Sequence, residues 1–144
     1  VYVLDHCTVV VAAGSSLTIP AGTVVKVAGS HDRIVVDGAL AIEGTGAAPV
    51  VVTSLRDDGV AGDTNGDGTT TSPAPGDWGW IVFNPGSQGS LRHADIAFGG
   101  VGFHGRYSSW EFFRGQEKDK WKGIVKLPIE EWRGQYHPTQ FDSR

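Results

Sequence analysis

The sequence contains no methionine, even at its first position, and a single cysteine among its 144 residues. Without an initiator residue the chain is expected to be processed or excised, removal of a secretion signal being the simplest route and excision from a longer polypeptide the second. A lone Cys7 excludes an internal disulfide, and in the run Asp5-His6-Cys7-Thr8-Val9 it reads as a small buried hydrophobe rather than a reactive thiol. No apolar run approaches the roughly 18 residues that a membrane-crossing helix needs, so no membrane insertion is expected. Bases are scarce over residues 1–100, four against ten acids, and 101–144 carry eight bases against six acids. That balance offers no basic stripe for nucleic acid. Nucleophile elbow, phosphate loop and dinucleotide fingerprint are all missing, and His6, His31, His93, His104 and His137 are scattered without metal-ligand spacing.

Glycine, by contrast, is abundant. Its 21 copies are about twice ordinary usage and fall between short apolar runs with no three-residue period. Segments 17–19, 23–27, 34–37, 40–43, 50–53, 80–83 and 91–98 read as short strands. Val25 and Val27 flank Lys26, and Leu40 and Ile42 flank Ala41, so each segment presents one apolar face. The turns Pro20-Ala21-Gly22 and Asp37-Gly38 recur where a coil would bend. Segments 17–27 and 34–44 form a weak repeat, each an apolar triplet, a glycine turn and a second alternating strand. Stacked turns burying a shared core give such a repeat its physical content. At roughly 20 residues per turn, with 55–78 set aside as an insertion, residues 1–100 make about four rungs of an all-β coil.

The insertion holds the clearest chemistry. In Asp63-Thr64-Asn65-Gly66-Asp67-Gly68 oxygen side chains alternate and a glycine follows, the pattern a hard cation such as calcium needs from a short loop. Asp63, Asn65 and Asp67 would fill positions 1, 3 and 5 of an EF-type loop, and the Thr69 carbonyl position 7. Position 12 is Ala74, so a bidentate acid has to come from Asp57, Asp58 or Asp77. The same residues also suit a solvated polar turn. If calcium binds, its role is to order the insertion. Trp78 and Trp80 straddle Gly79 and on an extended chain share a side; they suit either a sugar platform or packing of the loop onto the coil.

After Gly100 the glycine-turn pattern stops. Residues 101–144 are dense in aromatics, among them Trp110, Phe112, Phe113, Trp121, Trp132, Tyr136 and Phe141, with a short helix over 114–122 and a strand over 124–129 as the only regular elements expected. An open coil end must be covered or it will pair with another chain. The extension therefore reads as a cap on its own coil or as an arm that builds an oligomer or filament.

The succession Leu17-Thr-Ile-Pro-Ala-Gly-Thr-Val-Val-Lys26, Ile34-Val-Val-Asp-Gly-Ala-Leu-Ala-Ile-Glu-Gly-Thr45, Pro49-Val-Val-Val-Thr-Ser54, Gly62-Asp-Thr-Asn-Gly-Asp-Gly68 and Gly76-Asp-Trp-Gly-Trp-Ile81 resembles secreted and cell-surface bacterial right-handed parallel β-helix proteins of the pectate-lyase-like superfamily. The resemblance covers residues 2–100. It implies a right-handed parallel β-helix in an extracellular setting, in a group that includes adhesins, surface proteins and carbohydrate-active enzymes. Polysaccharide lyases of that kind use calcium to neutralise a uronate and a basic side chain to abstract a proton, for which Arg56, Arg92 and His93 are available. Their acids project from adjacent strands, whereas here most lie in one loop. The expectation is therefore a calcium-stabilised, non-catalytic secreted module, a stalk, adhesive or self-assembling subunit. The alternative is a small glycan-binding or polysaccharide-cleaving domain, a lyase or glycosidase.

Overall fold

A computed structural model of the chain describes residues 1–100 and the backbone of 125–126. The aromatic positions Trp110, Phe112, Phe113, Trp121, Trp132, Tyr136 and Phe141, and the helix expected over 114–122, lie outside the described residues. Within them there is no helix, as the lack of any long 3.6-residue apolar period requires.

The strands are β1 (Tyr2–Leu4), β2 (Thr8–Val11), β3 (Ser16–Pro20), β4 (Val24–Val27), β5 (Arg33–Val36), β6 (Ala39–Glu43), β7 (Val50–Ser54), β8 (Ile81–Phe83), β9 (Gln88–Arg92), β10 (Ala94–Ile96) and β11 (Val125–Lys126). They form three sheets of order β1-β4-β7-β10, β2-β5-β8-β11 and β3-β6-β9. Every pairing is parallel, and each strand hands the chain to the next sheet, as in a parallel β-helix.

Register turns the period-two alternation into stacked columns. Val25, Val52 and Ile96 lie one above another in the first sheet. Val9, Ile34 and Ile81 do so in the second, and Ile19, Ile42 and Leu91 in the third. The core consists of these columns, with Val36, Ile42, Val50, Val52, Ile81 and Ile96 fully buried. A one-residue slip would turn each column outward, so burial fixes the register.

The turn is longer than the weak repeat suggests. Leu17 stacks on Leu40, not on Ile34, whose partner in the turn before is Val9. Segments 17–19 and 34–36 thus belong to different sheets. Three strands per turn share one alternation, so self-similarity in sequence matches a strand to the wrong member of the next turn. The expected strand over 91–98 is likewise split into β9 and β10 at His93, whose φ of 42° breaks the extended chain. Within the expected strand 124–129, β11 adds to β8, so the second sheet continues beyond Gly100.

Corners between sheets are tight. A Cβ at Gly38 would lie 2.2 Å from the Ser15 carbonyl oxygen and 2.3 Å from that of Ala12. Both are backbone atoms engaged in the corner below, where Ser15 N–H donates to Ala12 O at 3.0 Å. Gly38→Ala is expected to cost on the order of 2 kcal/mol or more, as overpacking does; a denaturant midpoint equal to that of the unmodified chain would contradict this. Another corner is tied by Asp32, which is 3% exposed. Its carboxylate accepts the backbone N–H groups of Cys7 (2.7 Å), Gly29 (2.9 Å) and His6 (3.2 Å), joining the first-to-second-sheet corners of successive turns.

Candidate metal centre

The chain leaves β7 at Ser54 and returns to the coil at Gly79, whose N–H donates to Asp32 O at 3.0 Å. Its two ends are fastened. At the exit, Ser54 Oγ donates to Asp77 Oδ2 at 2.6 Å and the Arg56 guanidinium to Asp77 Oδ1 at 3.1 Å, while Ala74 N–H reaches Oδ2 at 3.0 Å. At the return, Trp78 is fully buried and its Nε1–H donates to Ala97 O at 2.8 Å. Gly99 lies against the indole; a Cβ there would be 2.8 Å from Cε2. Trp80 is half-buried. Trp78 and Trp80 therefore do not form the exposed pair that a sugar platform requires. Trp78 precedes β8 and sits at the loop's return, where period two does not govern side-chain direction.

The floor of the loop is a residue that sequence reasoning missed. Lys26 lies on the outer side of β4 between Val25 and Val27, yet it is 0% exposed. Its ammonium donates to the carbonyls of Asp57 (2.9 Å) and Gly62 (2.7 Å). Thr53, paired with Lys26 in register, donates from Oγ1 to Asp57 Oδ2 at 2.7 Å. Alternation alone marks Lys26 as solvated. Only the covering loop, distant in sequence, buries it.

These contacts sort the candidate ligands. Asp57 turns one carboxylate oxygen to Thr53, and Asp77 gives both of its own to Ser54, Arg56 and the Ala74 N–H. Asp58, Asp63 and Asp67 instead converge, with one oxygen of each lying within 4.8 Å of the others. Asp63 shapes the turn: Oδ1 accepts the N–H of Gly66 (2.7 Å) and of Asp67 (3.2 Å), and Oδ2 that of Gly68 (2.9 Å). Gly66 and Gly68 have φ of 71° and 70°, which glycine adopts without the cost an ordinary side chain would meet. Asn65 spans the turn, its amide donating to Asp67 Oδ2 at 2.8 Å. Thr69 is exposed just beyond, and the chain folds back so that Thr70 Oγ1 donates to Asp67 O at 2.8 Å.

Two atoms stand out. Asp58 Oδ1 and Asp67 Oδ1 are shut off from solvent and have no hydrogen-bond partner. Unmet buried acceptors are uncommon because each costs the water it gives up. The Thr71 hydroxyl, donating to Asp67 Oδ2, holds the Asp67 carboxyl below the usual carboxylate range, helped by Asn65 and against partial burial. One oxygen from each of three acidic side chains meets within 4.8 Å, an arrangement that a cation among them would favour. Hard oxygen donors suit calcium; Asp58, Asp63 and Asp67 would hold it.

Elsewhere, Cys7 is half-buried in a cleft with His6, His31 and Asp32. The Asp32 carboxylate there is consumed by backbone N–H groups. No protein-family model, curated protein or solved structure matches the chain.

Proposed function

We propose that this chain is a non-catalytic structural or interaction module of the secreted or cell-surface kind, a right-handed parallel β-helix of about four turns whose inserted loop is locked by calcium. It serves as a stalk, adhesive or self-assembling subunit. The observation that carries the reading is the pair of solvent-excluded, unpartnered oxygens, Asp58 Oδ1 and Asp67 Oδ1, in a three-carboxylate cluster. A cation there would satisfy both oxygens and offset the mutual repulsion of the acids.

A non-catalytic role is supported by how the other candidates are engaged. Arg56 pairs with Asp77 at 3.1 Å and Arg92 lies 3.8 Å from Glu43, which weakens the case for either as a proton-abstracting base.

The test is a thermal melt in calcium and in chelator. Calcium at about 100 times its Kd adds about 2.7 kcal/mol, which in a domain of this size raises Tm on the order of 10 °C. The double variant Asp58→Asn, Asp67→Asn is expected to lose that increment. Equal melting temperatures for the unmodified chain in the two buffers would count against the reading. Because the ligands must be deprotonated, the increment is expected to shrink as pH falls through the carboxylate range.

A further inference from the structure

A lysine with no exposed surface is seldom found without a specific partner, and the partners of Lys26 are unusual in their placement. The two carbonyls that accept its ammonium belong to Asp57 and Gly62. Each is the residue immediately before an acid of the cluster, Asp58 in one case and Asp63 in the other. A carbonyl and the side chain that follows it are linked through one planar peptide and one Cα, so fixing the carbonyl restricts where the carboxylate can lie. One ammonium thus clamps two separate points of the loop and brings the next residue of each to the same place. Thr53 braces the Asp57 end through its carboxylate.

We propose that Lys26 is the positioning residue of the cation site: rooted in β4, it organises Asp58 and Asp63 through the backbone ahead of them and so sets the loop's affinity for a divalent cation. The inference rests on the calcium reading above. It carries a sign that simple electrostatics does not. A buried positive charge beneath a cation site repels the incoming ion, so removing it should tighten binding if charge were its whole contribution. If Lys26 instead organises the ligands, removing it weakens binding, because the loop must then be ordered at the expense of binding free energy.

The experiment uses the full chain with Lys26→Met, Lys26→Gln and Arg56→Ala. Calcium affinity is read by calorimetric titration. Amide hydrogen exchange of Gly66, Asp67 and Gly68 is read in chelator, since those N–H groups report the docked turn without any ion. Lys26→Met is expected to bind calcium about tenfold more weakly or worse, and to exchange those amides about tenfold faster. Lys26→Gln, which keeps two N–H donors, is expected to fall between it and the unmodified chain. Arg56→Ala, which loosens the loop's exit but not the two carbonyls, is expected to change affinity by less than about twofold. Unchanged or tighter binding in Lys26→Met, or equal loss in Arg56→Ala, would overturn the proposal. If the unmodified chain binds no calcium, the metal reading fails by itself, and unchanged exchange in both Lys26 variants would then refute the docking role as well. Should Lys26→Met not fold, Lys26→Gln alone decides by the same two readouts.

Discussion

Replacing Trp78 with alanine is expected to be among the most damaging single changes in this chain, lowering the melting temperature by on the order of 15 °C. The indole is fully buried where the inserted loop returns to the coil, and truncating a buried aromatic to alanine costs about 3–5 kcal/mol. Two local features push toward the upper end. Ala97 O loses the 2.8 Å bond from Nε1, and Gly99, which has no side chain because the ring occupies its space, cannot fill the void. In a chain of 144 residues, between the small-domain and large-domain ranges, each kcal/mol is worth about 4 °C. Trp80→Ala, at a half-buried position, is expected to cost less. Thermal melts of both variants in chelator check the ordering. A loss below about 5 °C for Trp78→Ala would mean that the return of the loop is anchored elsewhere.

Asp32→Ala is expected to rank with it. Hydrogen bonds to a charged group contribute about 1.5–3 kcal/mol each, and here three backbone N–H groups share one carboxylate at 2.7–3.2 Å. Two of those donors, on His6 and Cys7, lie in the corner where His6 is held at φ 52°, a conformation that costs an ordinary residue energy and persists only if its surroundings impose it. Losing the carboxylate removes that imposition and separates the first turn from the second. A cost of about 3 kcal/mol or more is expected from the denaturant midpoint, with Asp32→Asn intermediate because its amide keeps one acceptor oxygen. Equal stability of Asp32→Ala and the unmodified chain would show that the corner holds without it.

Local alternation carried much of the fold. Val25 and Val27 around Lys26, and Leu40 and Ile42 around Ala41, marked faces that the structure turns inward, and the glycines marked corners such as Gly38. The first turn was harder to read: β1 and β2 are three and four residues long and are separated by Asp5-His6-Cys7, with no glycine or proline to signal a corner. The period was misjudged because strands of all three sheets look alike along the chain, and only pairing distinguishes Leu17 on Leu40 from Leu17 on Ile34.

The site was legible in its turn and not in its completion. Asp63, Asp67 and the glycines between and after them follow a local pattern, and Gly66 and Gly68 take the positive φ of a tight turn around the Asp63 carboxylate. Which of Asp57, Asp58 and Asp77 joins them depends on how the loop lies on the coil. Asp57 faces Thr53 and Asp77 faces Ser54 and Arg56, which leaves Asp58 for the cluster. Lys26 was hidden for the same reason, since its partners are 31 and 36 residues away in sequence. Contacts of that range come from the docked loop, not from any local period.

A crystal structure grown in calcium tests the central claim most directly, because it reads the coil's register and the ion's ligands together. The expected result is an anomalous peak among Asp58, Asp63 and Asp67, with oxygens at about 2.3–2.6 Å that include Asp58 Oδ1 and Asp67 Oδ1. Those two oxygens bonded only to water or protein donors at millimolar calcium, with no ion between them, would contradict it.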